Sequence, residues 1–332
     1  MTDLKVCVYL ELEKFFEASG IGSAVQNQRK ALRNNGVEVT SNPRDEYDIL
    51  HLNTIGPFSF YYAKKTSLMN KNLVIHAHTT AEDFSGSYRF SSKLSGLLKK
   101  YLSYFYDQGD ALLCPSMFTK DLLKNYNLDR DPIVISNGIH FDKFCCDPDL
   151  GESIRDRFDL DGLVIFSVGG VFKRKGIKTF LKVAEKFPDQ NFVWFGPKYK
   201  RLQDREVKDI LKNSPENLHF TGKIDNILGA YSAGDIFLFP SHNENQGIAA
   251  LEAASCGLPM ILRDIPGFSH FEDQKNCVKC NSFNEFVDAV DDLIEDADKR
   301  NKLGEEAQKI AKNHSLDKIG EKLIEIYRSI QR

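Results

Sequence analysis

The feature that most restricts what this chain can fold into is an alternation: short apolar runs, each followed by a stretch with helical spacing, repeated along nearly its whole length. Runs of this kind read as buried strands, and strands that alternate with helices build parallel sheets with crossover connections. In the first half the runs are Val6–Leu10, Val37–Thr40, Ile49–Asn53, Leu73–His78, Ala111–Pro115 and Ile133–Ser136. A second series comprises Leu163–Val168, Phe192–Phe195, Leu218–Phe220, Ile236–Pro240 and Met260–Leu262. Two series in 332 residues predict an α/β protein of two doubly wound, Rossmann-like domains facing across a cleft at their strand ends. The polar stretch Cys146 to Asp161, with Asp147-Pro148-Asp149, separates the series. The expected domains are therefore residues 1–150 and 151–312, followed by a terminal helix at 313–332.

Composition removes several classes of function. With 42% hydrophobic and 27% charged residues the chain can bury sizeable cores, and a net charge of -3 argues against nucleic acid as a partner. The amino terminus, with Asp3 and Lys5 around a short apolar run, does not read as a signal peptide, and no run approaches the ~20 residues of a spanning helix. Seven cysteines, an odd number, read as reduced cytosolic thiols. Cys277-Val-Lys-Cys280 has no second pair or histidine at zinc-site spacing, so incidental thiols are the reading there.

Chemistry concentrates at the ends of strands. Glu244-Asn-Gln-Gly-Ile-Ala-Ala-Leu-Glu252 sets two carboxylates with seven residues between them, following the run Ile236–Pro240 and leading into a helix closed by Gly257 and Pro259. Ligands of open α/β sheets bind at such loops. With the helix opening at Gly247, Glu252 lies ~1.5 turns inside it, so one acid faces the tip of an extended polar ligand and the other its middle. An arbitrary pair of this kind would be two solvated ends of a helix. Lys173-Arg174-Lys175-Gly176, after another strand, joins three cations to a helix start, as a diphosphate requires; alone it would be a solvated turn. Ser19-Gly20-Ile21-Gly22-Ser23 opens the first helix, Ala24–Asn35, and His76-Ala-His78 ends a strand. Either could be a plain turn or a satisfied polar residue.

Taken together, Ser241-His-Asn-Glu244-(x7)-Glu252-Ala253-(x3)-Gly257-Leu-Pro-Met-Ile261 resembles the signature of the retaining GT-B glycosyltransferases of family 4. Phe166-Ser-Val-Gly169-Gly170-Val-Phe-Lys173-Arg174-Lys175-Gly176 and Tyr231-Ser-Ala-Gly234-Asp235-Ile-Phe237 are similar to that family's preceding motifs, in the same order. The resemblance implies a nucleotide-sugar donor, UDP-hexose with glucose or galactose, and neither cofactor nor metal; no Asp-x-Asp follows a strand. It assigns Lys175 to the phosphates, Glu252 to the ribose hydroxyls, Glu244 to the transferred sugar and His78 to the reacting carbon. The donor set it implies is Gly20, Gly22, Gly170, Lys173, Arg174, Lys175, Glu244, Asn245, Gln246, Gly247, Ile248 and Glu252, with Lys175, Glu244 and His78 as the catalytic group. The chain departs from the family at Gly170, where an arginine is usual, and at Gln246, where many relatives carry an aromatic residue. The resemblance also implies a front-face reaction without an enzymic nucleophile, and a last helix, Leu316–Arg332, crossing back onto the first domain.

From Phe84 to Tyr106 there is no acidic residue, while Arg89, Lys93, Lys99 and Lys100 interleave with Phe84, Tyr88, Phe90, Tyr101, Tyr104, Phe105 and Tyr106. Leu94, Leu97, Leu98, Tyr101, Leu102 and Phe105 share a helical face and can pack on the sheet. The cations beyond that stripe predict peripheral binding to an anionic membrane surface. Tyr9-Leu-Glu-x-Glu-Lys-Phe-Phe-Glu-Ala-Ser-Gly-Ile-Gly22 and His76-Ala-His-Thr-Thr-Ala-Glu-Asp-Phe84 are similar to bacterial synthases that extend diacylglycerol or monoglucosyl-diacylglycerol. That implies a lipid acceptor and a place at the cytoplasmic face of the membrane. The alternatives are a transferase building polysaccharide on a lipid carrier or soluble glycan, and a non-catalytic module that binds nucleotide sugar or membrane.

Overall fold

The computed structural model describes residues 4–16, 20–82, 91–198 and 205–331, and for residues 91–95 the backbone alone. The chain divides into two compact units, Met1–Ile139 with His314–Arg332, and His140–Asn313.

The first unit is built on a six-stranded parallel sheet of β1 (Lys5–Tyr9), β2 (Glu38–Thr40), β3 (Ile49–Leu52), β4 (Asn72–His76), β5 (Ala111–Cys114) and β6 (Ile133–Val134), in the order β2-β1-β3-β4-β5-β6. Helices cover both faces, which is why its strands read as unbroken apolar runs. Alternate residues go to opposite cores: Val6 and Val8 join Val25, Leu32, Ile319 and Leu323 on one side, while Cys7 joins Leu50, Leu102 and Phe105 on the other. The C-terminal helix Leu316–Ile330 thus packs in this unit, against the helix Gly20–Asn34, where Asn34 Nδ2 donates to Asp317 Oδ1 at 3.0 Å.

The second unit repeats the plan with β7 (Val164–Val168), β8 (Asn191–Phe195), β9 (Leu218–Gly222), β10 (Ile236–Phe239), β11 (Met260–Arg263) and β12 (Val278–Cys280), in the order β12-β11-β10-β7-β8-β9. Strand order reverses between β7 and β10, and ligands of doubly wound sheets bind at that switch point. β12 escapes a sequence reading because three residues carry no period; Cys277, just before it, and Cys280, its last residue, are buried free thiols. The stretch read as a polar joint carries a helix, Pro148–Phe158. Asp147 caps it by accepting from Leu150 N at 3.2 Å, and Asp159 ends it in the left-handed conformation. An N-cap acid followed by proline is a helix start as much as a linker signal, and most of this helix is exposed and polar, so its packing on Ile227–Ala233 left little apolar trace.

Candidate active site

At the switch point of the second unit, the loops after β7 and β10 interlock. Lys173–Lys175 form one 3-10 turn, and Gly176 follows with φ of 78°. A Cβ at Gly176 would lie 2.0 Å from the carbonyl oxygen of Pro240, so glycine alone allows the two backbones this close. His242 N then donates to Arg174 O at 2.8 Å, tying loop to loop. Across this joint Lys175 Nζ pairs with Glu244 Oε1, and Ser241 Oγ donates to the same oxygen at 2.7 Å. The Lys175 ammonium also sits 5.0 Å from the centroid of the Phe239 ring. The side chains of Lys175 and Glu244 are 14% and 11% exposed. Burial lowers the Lys175 pKa from the ordinary lysine value, and the Glu244 carboxylate opposes that shift.

Not every basic residue of the loop joins this pair. Lys173 turns to Glu206 at 2.6 Å, a carboxylate it shares with Lys178, and Arg174 donates to Asn243 O at 3.3 Å. Gly170 lies just past β7. Beyond Glu244, Asn245 and Ile248 are half-buried and Gln246 and Gly247 buried. Gly247 caps the helix Ile248–Ser255 against the Phe268 ring, so the first-turn N–H groups of that helix open on this loop. Glu252, inside the helix, accepts from the buried Tyr231 hydroxyl at 2.7 Å. Burial pushes the Glu252 carboxyl up to about 7, with the Tyr231 bond and Lys143 acting against it.

In the first unit, His78 lies just past β4 and ends a stack of three imidazoles. Its ring is 4.1 Å from that of His76, and His76 is 5.6 Å from His51, between centroids. His78 Nε2 donates to Asn53 Oδ1 at 3.0 Å, Gln28 Nε2 donates to His76 Nδ1 at 3.0 Å, and His51 Nδ1 pairs with the Tyr327 hydroxyl at 2.7 Å. Burial lowers all three pKa values, to about 3 for His51 and His78 and well below the usual value for His76, so all three rings are neutral near pH 7. Gly20 and Gly22 fall in the first described turn of the helix Gly20–Asn34. Gly22 lines a cavity of about 430 Å³ with Leu10, Glu13, Lys14 and Gln26, and Glu13 is held by the buried Arg29 at 2.5 Å. At this unit's own switch point, between β1 and β3, the buried Glu11 carboxylate accepts from Ser59 N and Ser59 Oγ, both at 2.8 Å, capping the helix Pro57–Leu68.

Of the basic aromatic segment, Arg89 and the side chain of Lys93 lie outside the described residues. Lys100 is exposed on the helix Ser91–Tyr106, whereas Lys99 is half-buried, its Nζ 5.0 Å from the Tyr126 ring. Leu102 and Phe105 are buried as the stripe predicts, but Leu97 is 68% exposed. Phe58, Tyr61, Leu68 and Tyr104 are exposed as well. No helix among the described residues is long and apolar enough to cross a membrane.

Sequence reasoning gave no role to Tyr231, Ser241, Asn53 or the turn Pro266–Phe268. Tyr231 and Ser241 stood inside recognised motifs, but no local period links Tyr231 to Glu252. Asn53 is the last residue of a predicted strand, and nothing in the chain ties it to His78.

The family description Glycosyl transferases group 1 matches residues 152–310, and Glycosyltransferase Family 4 matches residues 41–143. Over 335 residues, 98% of both chains, the sequence is 31% identical to the processive diacylglycerol alpha-glucosyltransferase of Acholeplasma laidlawii. It is 32% identical over 238 residues to the alpha-galactosylglucosyldiacylglycerol synthase of Streptococcus pneumoniae, covering 68% of this chain and 63% of that one. Sucrose-phosphate synthase of Thermosynechococcus elongatus superposes with a TM-score of 0.82 at 16% identity, over 98% of this chain and 99% of that one. Anabaena HepE, solved with UDP and glucose, superposes with a TM-score of 0.78 at 16% identity, over 98% and 100%. Identity this low makes both likenesses of fold.

Proposed function

The chain belongs to the group 1, family 4 glycosyltransferases and is a glycosyltransferase of the GT-B fold, and from that premise we propose that it moves a hexose, with retention, from a UDP-sugar to diacylglycerol or a glycosylated diacylglycerol. The observation that carries the donor half is the meeting of Lys175 and Glu244 at the switch point of the second unit, with Glu252 in the helix that follows the Glu244 loop. In this reading Lys175 neutralises the diphosphate, Glu252 accepts from the ribose hydroxyls and Glu244 receives sugar hydroxyls once Lys175 turns to phosphate. The bond from the anomeric carbon to the phosphate oxygen breaks, the acceptor oxygen bonds the same face, and its proton passes to the departing diphosphate. A neutral His78, its Nε2–H fixed by Asn53, would hydrogen-bond beside the reacting carbon without adding charge. The acceptor half rests on the full-length likeness to the diacylglycerol alpha-glucosyltransferase.

We further propose that the enzyme works while peripherally bound at the cytoplasmic face of an anionic membrane, through Lys100 and the exposed Phe58, Tyr61, Leu97 and Tyr104. A handful of cations at about 1 kcal/mol each near such a surface gives reversible attachment. Labelled UDP-glucose and UDP-galactose, presented with anionic vesicles carrying diacylglycerol or monoglucosyl-diacylglycerol, test the whole reading. The expected product is an alpha-linked glycolipid, its anomeric configuration read by proton NMR, with vesicle binding lost at high salt. Transfer to a lipid-linked or soluble glycan instead would overturn the acceptor assignment, and a beta-linked product would overturn retention.

A further inference from the structure

We infer that Tyr231 is a positioning residue for the donor: its hydroxyl holds one oxygen of Glu252 so that the other is presented to the vicinal hydroxyls of the ribose. This rests on the reading of Glu252 as the ribose ligand. Three observations support it. The Tyr231 hydroxyl is 2.7 Å from Glu252 Oε2 and 3.3 Å from Ala249 O, so its single proton points into the first turns of the helix that carries Glu252. The ring cannot swing away, because it is fully buried and packed edge-on against Phe144 and Phe166, with centroids at 5.4 and 5.8 Å. Among the described residues the Tyr231 bond falls on Glu252 Oε2, and Glu252 itself is half-buried rather than closed off, which leaves Oε1 to face a ligand.

The arrangement distinguishes the two protonation states of Glu252. An ionised carboxylate can accept from Tyr231 on one oxygen and from ribose on the other; a protonated one loses part of that capacity. Burial favours the protonated form, and the Tyr231 bond favours the ionised one. The other titratable groups that act on Glu252 and Tyr231 are Lys143, from the turn Phe141–Lys143, and Cys256, one helical turn beyond Glu252; Cys256 is in turn influenced by Cys145 and Cys146. Of these, Tyr231 and Lys143 favour ionised Glu252. Deleting the Tyr231 hydroxyl while keeping its ring should therefore weaken ribose recognition at and below the pH where wild-type Glu252 is half-titrated, and least above it, where Glu252 is ionised in both proteins.

The test is calorimetric titration of UDP and 2′-deoxy-UDP into wild type, Tyr231→Phe and Glu252→Gln between about pH 5.5 and 8.5. The expected result for Tyr231→Phe is an upward shift of about one unit in the pH at which UDP affinity is half-maximal. UDP affinity should fall about fivefold near neutral pH and approach about tenfold toward pH 5.5, and the preference for UDP over 2′-deoxy-UDP should shrink. If Glu252→Gln weakens UDP but Tyr231→Phe matches wild type at every pH, the positioning role is overturned and the ribose reading survives. If Glu252→Gln leaves UDP affinity unchanged, the ribose reading itself fails. Should Tyr231→Phe not fold, wild type decides: UDP affinity that does not rise with pH across this range overturns the inference.

Discussion

Lys175 and Glu244 are each other's partner before any donor arrives, and this shapes what their substitution does. Both are largely buried, so removing either leaves the other charge without its counter-ion, a loss that costs several kcal/mol when the pair is fully desolvated and less at their partial exposure. Stability alone therefore cannot identify the phosphate lysine. Lys175→Ala should weaken UDP by about 10- to 100-fold, the equivalent of one charge-assisted bond, and uridine by much less, because the cation acts on phosphate. Inhibition constants for UDP and uridine measured side by side decide the point; equal weakening of both would mean a folding defect. Lys175, Glu244 and Glu252 were legible in the sequence because each stands a fixed distance from a strand end, where chemistry and local structure coincide. Tyr231, Ser241 and Asn53 were not, because a hydrogen bond across elements leaves no periodic mark on the chain.

The turn Pro266–Phe268, after β11, acts at the scale of elements. A Cβ at Gly267 would lie 1.9 Å from the carbonyl oxygen of Glu244, and Phe268 packs on Phe239 and on Gly247. The turn thus clamps the loop that carries Glu244 and leads into the helix that carries Glu252, without itself offering a group to the ligand. Gly267→Ala should displace the loop, weakening UDP at least tenfold while destabilising by about 1 to 3 kcal/mol, the usual range for overpacking. Gly96→Ala is the matching control: nothing lies within 4 Å of its added Cβ and it sits in the helix Ser91–Tyr106, so it should be neutral or slightly stabilising. Denaturant melts and UDP titrations of both variants test the clamp, and wild-type UDP affinity in Gly267→Ala would remove it. Long strands and helices were legible through their periods. This turn, β12 and the helix Pro148–Phe158 were not, since each is too short or too polar for its pattern to rise above a loop.

For the molecule as a whole, the two series of strands were visible in the sequence, but the join at Ile139 and His140 was not: it falls ahead of the polar stretch, beside Ser136-Asn137-Gly138. The division has a consequence for pH, because the buried titratable groups of the two units pull in opposite directions. His51, His76, His78 and His314 all belong to the first unit, and burial lowers each of them, to about 3, well below the usual value, about 3 and about 4. Folded, they stay neutral as pH falls below the ordinary histidine value near 6.5; unfolded, they take up protons. The first unit therefore loses stability as pH falls from about 6.5, by up to about 1.4 kcal/mol per pH unit for each histidine. Glu252, in the second unit, is shifted the other way, from 4.5 to about 7. Its contribution is fully present below the ordinary carboxyl value and lost as pH rises through 7, so acidification over the same window adds stability at Glu252 that offsets the loss at His242, which burial also lowers. Between about pH 6.5 and 5 the amides of β1, β3 and β4 should lose hydrogen-exchange protection while those of β7 and β10 keep theirs. Glu252→Gln should remove the gain in the second unit without altering the loss in the first. Peptide-resolved exchange across that range is the measurement, and protection lost from β7 and β10 first, or from both sheets together, would contradict the opposed signs.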